Sequence, residues 1–471
     1  MSELTHLTLV DAADGIRAGD FSAKELTEAM LARIEELGGK LNCFIDIWSE
    51  QALAAADRAD IARARGQTLG PLHGVPLAHK DMFYRAGTTC TCGSTIRRDF
   101  VPQITATVLE RLDAAGATHL GALNMSEFAF GPTGHNHHFG PARNPWHRDH
   151  VSGGSSSGSG VAVGARLAFG ALGSDTGGSV RLPAAACGIV GLKPTQTRVS
   201  RFGAMGLSFS LDNIGPLTRT VADCARLLGV IAGHDPRDGT SAHVAVDDYE
   251  AAVRSPSVKG LRIGRPENHY FDHVTEAVAT CLDRALAVFE DLGAEIVPVT
   301  VPAHEQIGLL QSLISTSEAA TLHGKWLAER PGDYGPQVKA RIEPGLSVPA
   351  TRYLGSLHTR PVVLQQMLTE VFGRCDVLFT PVFSAPQPTI EASDVGDSPG
   401  FHKVLASLTH CTAPINYLTL PGLSLPGELL NGLPTSFQLV GAPFQEAALL
   451  RAGAAYEEAT RFSERVPSHA P

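Results

Sequence analysis

Three observations predict an α/β fold with helices on both faces of a β-sheet. Short apolar, strand-like runs alternate with helical periodicity along most of the chain. The 471 residues carry 43% hydrophobic and 18% charged side chains, an ordinary globular balance that can bury one large sheet. No repeat, low-complexity tract or obvious linker divides the sequence, so a single catalytic domain over 1–471 is expected, opening with a helical segment at about 1–65.

The elements follow in order. Ser22 and Glu25 have capping-box spacing ahead of Leu26, Met30, Leu31 and Ile34, which predicts an amphipathic helix ending near Gly38-Gly39. A helix rich in alanine and arginine is predicted over 49–65, and a short buried strand over 75–79. Next come a helix at 107–115, a strand at 119–123, a small-residue helix at 161–168 and a helix at 220–231 just after Pro216. The later pattern is strand 261–264, helix 275–292, strand 295–301, helix 307–328, then helix and strand within 362–380. Two excursions, 243–256 and the Pro/Ser-rich 384–400, are expected to be the most mobile.

Bulk charge narrows the function classes. A net charge of −10 offers no electrostatic capture of nucleic acid or anionic membrane and reads as solubility. The start, Met1-Ser2-Glu3-Leu4-Thr5-His6, lacks a basic stretch followed by an apolar run, and no apolar run approaches the ~18–20 residues that span a bilayer. Eight scattered cysteines are unlike a secreted disulfide framework and suit a reducing cytoplasm, where the protein is expected to reside. Cys90-Thr91-Cys92 is the single close pair, and no second pair completes a zinc site.

The chemistry concentrates in two glycine-rich serine loops one short helix apart. They are Gly153-Gly154-Ser155-Ser156-Ser157-Gly158-Ser159-Gly160 and Gly173-Ser174-Asp175-Thr176-Gly177-Gly178-Ser179. Glycines at this density let backbone N–H groups converge on one ligand atom, while serines supply hydroxyls. The first loop formally matches a nucleophile elbow centred on Ser156, but that motif needs a strand immediately before it, and residues 144–150 read as loop. A phosphate loop would end in Gly-Lys-Ser/Thr, which is absent. His135, His137 and His138 cluster without a carboxylate or cysteine at ligand spacing, so a pocket-lining loop is the plainer account.

Lys80 ends an apolar run in Gly74-Val75-Pro76-Leu77-Ala78-His79-Lys80-Asp81, so burial is expected, and burial lowers a lysine pKa towards neutrality. A base and an ion-pair partner for Asp81 or another acid both remain open for it. Ser179 follows Thr176-Gly177-Gly178, whose successive N–H groups suit an oxyanion. Ser155 would sit between Lys80 and Ser179 as a proton relay. Each element is weak alone, and the combination points to a serine–lysine hydrolase.

These motifs resemble the amidase signature family. The match is densest from Gly74 to Arg219 and continues in Asp376-Val377-Leu378-Phe379-Thr380-Pro381, Pro414-Ile415-Asn416 and Leu420-Pro421-Gly422, with 235–350 least matched. The resemblance implies a large twisted mixed sheet flanked by helices and a Ser–cis-Ser–Lys triad. It assigns Ser179 as nucleophile, Ser155 as cis-serine and Lys80 as base, and their separations of 75 and 24 residues agree with the family's spacing. It further implies an oxyanion hole from the amides of Thr176, Gly177, Gly178 and Ser179, substrate contact at Ala129, and neither metal nor cofactor. Ser157 stands where the commoner pattern has glycine, a departure expected to shift the loop only slightly.

The resemblance leaves three activities open. The first is hydrolysis of a small-molecule amide, anilide, ester or carbamate, with no nucleic-acid or membrane partner; a homodimer is the assembly that the resemblance allows. The second is the glutamine-hydrolysing subunit of a glutamine-dependent tRNA amidotransferase, which passes ammonia to a partner. The third is a silent scaffold, disfavoured by the intact Lys80, Ser155 and Ser179. Arg360 matches the amidotransferase carboxylate ligand, but Gln311 or Ser312 replaces an expected tyrosine and Thr409 an expected aspartate, which favours the first activity. Phe128, Phe130, His135, Phe139, Phe209, Leu313 and Leu408 then suggest an apolar acyl or aryl substrate.

Overall fold

The computed structural model describes residues 3–398 and 400–467. Met1, Ser2, 468–471 and Pro399, within the second predicted excursion, lie outside the described residues. Eleven strands form one sheet: β1 Phe44–Ile47, β2 Pro76–Lys80, β3 Thr118–Leu123, β4 Gly170–Asp175, β5 Val190–Lys193, β6 Asn213–Thr218, β7 Arg262–Pro266, β8 Glu295–Val299, β9 Val377–Pro381, β10 Gly422–Leu430 and β11 Leu433–Val440. Their spatial order is β1-β3-β2-β4-β6-β5-β10-β11-β9-β7-β8. The sheet is mixed: β3-β2-β4 and β9-β7-β8 run parallel, and the remaining neighbours pair antiparallel. This is the α/β architecture expected, with helices flanking the sheet.

Local signals shape the helices. In Ala23–Leu41 both halves of the Ser22/Glu25 capping box form, and the helix runs through Gly38-Gly39 to a left-handed Asn42. Ser49–Ala64, Thr107–Ala114, Val221–Ile231 and Glu276–Asp291 lie within a residue of expectation at each end. Thr220 caps Val221–Ile231 through its hydroxyl. The small-residue helix is Ser157–Gly164, starting four residues earlier than its apolar run suggests, because the serine-glycine loop itself supplies the first turn. His304–Glu329 and Ala350–Gln366 pack on each other, and their Ile307, Ile314 and Val363 join Val299 and Leu378 in one core cluster.

Six strands carried no usable sequence signal. β4, Gly-Ala-Leu-Gly-Ser-Asp, is buried at every position, so no alternation marks it, and its glycines argue against a strand. β1 is a four-residue edge strand inside the predicted helical segment. β10 and β11 form a hairpin whose rings and branched side chains close the core, with Phe379 and Phe437 stacked at 4.7 Å and Tyr456 edge-on to Phe437 at 4.9 Å. The excursions hold short helices, Tyr249–Arg254 and Ile390–Ser393.

Candidate active site

Lys80 closes β2 in the interior of the sheet, between β3 and β4, and is 1% exposed. Its Nζ donates to Ser155 Oγ at 2.7 Å and to Ser174 Oγ at 2.9 Å. Asp81 does not pair with it. That carboxylate instead accepts from the Thr91 N–H at 3.0 Å and from the Thr91 hydroxyl. Burial pushes the Lys80 ammonium down to about 7, against the pull of Asp212 and Asp175. A lysine in that state spends an appreciable fraction of its time neutral near pH 7, as a base must.

The Gly154–Ser155 peptide is cis. The loop is held by backbone bonds from Gly154 N–H to Pro132 O at 2.8 Å, from Ser126 N–H to Ser155 O at 3.0 Å, and from Ser156 N–H to Ser179 O at 3.3 Å. A Cβ at Gly154 would lie 2.4 Å from Gly131 O, so only glycine fits. Ser156, the centre of the formal elbow, faces the β4 backbone: its Oγ accepts from Ser174 N–H and donates to Ser174 O, both at 3.2 Å. Ser157 begins the helix with its hydroxyl buried and unpartnered, and the Lys80–Ser155 bond forms beside it.

Asp175 and Arg181 organise the second loop, and both are 0% exposed. The Asp175 carboxylate accepts from Gly178 N–H at 2.8 Å, Val180 N–H at 3.1 Å and Arg181 Nε at 3.0 Å. Burial opposes its charge, but Arg181, Lys193 and Asn416 hold the carboxyl down at about 2. Arg181 also reaches Gln438 Oε1 at 2.7 Å and Asn416 Oδ1 at 2.6 Å, tying the loop to the C-terminal third of the chain. Removing one partner of such a buried pair costs about 3–5 kcal/mol. Ser174 and Asp175 stood inside the glycine motif, and Arg181 two residues after it, without an assigned role; charged residues in and beside a glycine-rich turn were the available signal.

The Gly178 N–H is committed to Asp175, which corrects its placement among the oxyanion donors. Among the described residues no acceptor in the chain meets the amides of Thr176, Gly177 or Ser179. Gly178 has φ +131°, and a Cβ there would lie 2.3 Å from Thr412 Oγ1, which donates to Gly177 O at 2.6 Å. Gly178→Ala is therefore expected to cost about 1–3 kcal/mol and to slow turnover together. Denaturant melts and initial rates measure both, and an unchanged midpoint would refute the crowding.

A cavity of about 430 Å³ opens onto Ser179, Thr176, Gly177, Ala129 and Phe130. Ala129 holds φ +62° there. The rest of the wall mixes polar residues, among them Gln311, Ser312, Thr409, Arg341 and four histidines, with apolar ones such as Leu207, Leu405, Ala413 and Pro414. Of the set predicted to line the cavity, Phe130 does and the others do not. Phe128 packs instead on His323, Trp326 and Tyr334, Leu408 joins Leu182 and Phe383 in a separate cluster, and Phe209 is 50% exposed. His135 bonds Ser393 Oγ at 3.0 Å, His138 bonds Glu127 Oε1 at 2.8 Å, and neither lines the cavity. Arg360 also lies off it, donating to Ser210 O at 3.1 Å with its guanidinium 5.4 Å from the centre of the Tyr417 ring. No helix among the described residues is long and apolar enough to cross a membrane.

Comparison with known proteins sharpens this picture. The family model described as Amidase matches residues 25–450. A glutamyl-tRNA(Gln) amidotransferase subunit from Moorella thermoacetica is 41% identical, covering 99% of both chains. A solved structure described as a vestigial protein complex that reveals the origins of an s-triazine catabolic enzyme superposes with TM-score 0.90 at 34% identity, covering 96% of this chain and 99% of that one. The corresponding glutamyl-tRNA(Gln) amidotransferase subunit from Thermotoga maritima superposes with TM-score 0.80 at 30% identity, covering 97% and 95%. The expectation of a small amide as the sole partner, with no nucleic acid in view and at most a homodimer, is thereby corrected: relatives spanning the whole chain are named as subunits of an enzyme of glutamyl-tRNA. Net charge bears only on direct electrostatic contact and does not exclude a protein partner. By the match over most of its length and by its fold, the chain belongs to the amidase signature family.

Proposed function

We propose that this chain hydrolyses an amide C–N bond through an acyl-enzyme on Ser179, as the amidase component of an amidotransferase-type assembly in the cytoplasm. The observation that carries the chemistry is the buried Lys80 Nζ–Ser155 Oγ bond beside a cavity onto which Ser179 opens. Neutral Lys80 takes a proton through Ser155 as Ser179 Oγ attacks the carbonyl carbon. The amides of Thr176, Gly177 and Ser179 meet the oxyanion, and the proton returns to the departing nitrogen. Water then cleaves the acyl-enzyme by the same relay.

The assembly part of the reading is supported by the 41% identity, over 99% of both chains, to a glutamyl-tRNA(Gln) amidotransferase subunit. Eight free, buried cysteines support the reducing compartment. A second reading, an amide other than glutamine, is favoured by Gln311, Ser312 and Thr409 on the cavity wall where tyrosine and aspartate were expected, and by Arg360 bonding to Ser210 O.

Ammonia release from glutamine and from amides lacking an α-amino group tests both. The tagged chain is assayed alone and as isolated with its stable partners from its own cells. Glutamine-dependent release that rises with the partners is the expected result. Release confined to the other amides would move the substrate to the second reading, and no release in either preparation would sink the hydrolase.

A further inference from the structure

Arg341 lies in the helix Pro336–Ile342, on the wall of the cavity that holds Ser179. Its guanidinium stacks 3.9 Å over the Phe130 ring, and Nη1 donates to Phe130 O at 2.9 Å. Those two contacts fix the plane of the fork next to Ala129 and Gly131. Among the described residues no carboxylate pairs with it, and Nε and Nη2 have no acceptor in the chain. Burial alone shifts its pKa, down to about 10, consistent with a cation left uncompensated by the fold.

Arg341 is half-buried, and its Nε and Nη2 are open to the cavity, where a ligand can reach them. Two acids line the same cavity. Asp272 accepts from His269 N–H at 2.9 Å, and neither it nor Glu305 pairs with Arg341. The imidazoles of His269, His273 and His402 also line that wall, and His410 donates its Nε2–H to His269 O at 3.0 Å. The Nε–Nη2 edge of a guanidinium presents two parallel donors, the geometry a carboxylate takes up.

From this geometry we propose that Arg341 is a specificity-determining residue that binds a carboxylate on the acyl part of the substrate, so that the chain acts on anionic amides. The assignment rests on the reading of Ser179 as an amide-cleaving nucleophile. It replaces Arg360, which the fold holds outside the cavity, and it replaces the apolar substrate that the dispersed aromatic residues had suggested.

The test uses glutaramate and its neutral counterpart 5-methylhexanamide, in which a branched methyl end replaces the carboxylate. Turnover is followed by ammonia release, and binding by calorimetry to the full chain carrying Ser179→Ala. Arg341→Met should raise KM for glutaramate, and weaken its binding to the Ser179→Ala chain, by about tenfold or more. The neutral amide should be unaffected, and Arg341→Lys should restore part of the loss. Equal loss for both amides, or no glutaramate binding while 5-methylhexanamide is turned over, would overturn the anion site. Glutaramate binding that depends on Arg341 without turnover of either amide would keep the anion site and refute the hydrolase reading instead.

Discussion

Ser179→Ala should lower kcat/KM for amide hydrolysis by about 10⁴-fold or more and abolish acyl-enzyme formation. The argument rests on exposure as much as on motif. Four hydroxyls crowd this site, but Ser155 and Ser156 are 0% exposed and Ser174 is 2% exposed, whereas Ser179 is 8% exposed and lines the cavity. A nucleophile has to reach its substrate, and Ser179 is the one that does. Phenylmethanesulfonyl fluoride followed by intact-mass and peptide mapping reads this directly. The adduct should fall on Ser179 in the parent chain and vanish in the variant. An adduct on Ser155, or one that persists in Ser179→Ala, would reassign the nucleophile.

Lys80→Met should remove about 10²–10⁴ of the rate while leaving the protein folded. Lys80 has no counter-ion to orphan, since its two partners are neutral hydroxyls, and an unbranched thioether of similar length occupies the same channel. Stability should therefore hold or rise as activity collapses, a split that a purely structural lysine would not produce. The pH dependence follows from the same environment. The ammonium pKa is depressed to about 7, so the proton-accepting form is scarce below that pH and dominant above it. kcat/KM should climb through an apparent pKa near 7 and level off on the alkaline side. A rate that is flat from pH 5 to 8 would exclude a lysine base of this kind.

Much of this was legible in the residue order because it is set locally. The Ser22/Glu25 cap and the helices at 220–231 and 275–292 are decided by neighbours within one or two turns, and each formed within a residue of expectation. Lys80 and Ser155 were paired by motif 75 residues apart, and they meet at 2.7 Å because parallel β2 and β4 carry Lys80 and Ser174 to the same end of the sheet. The fully buried strands were silent, since a strand covered on both faces shows no alternation, and β4 is glycine-rich as well.

The sequence by itself determined the α/β class, the glycine-serine loops and the lysine that could serve them, since these depend on composition, periodicity and spacing along the chain. Only the tertiary structure decided what surrounds them. Asp175 withdraws the Gly178 amide from the oxyanion set, and Arg181 anchors the loop to residues more than 230 positions away. Arg341 stands at the cavity where Arg360 was expected, and of the aromatic residues read as pocket Phe130 reaches the cavity while Phe128 lies in the core and Phe209 in solvent. The physical reason is common to all four. Which donor is free, which charge is uncompensated and which ring faces the substrate depend on partners brought together by the sheet, and no local pattern in the chain records them.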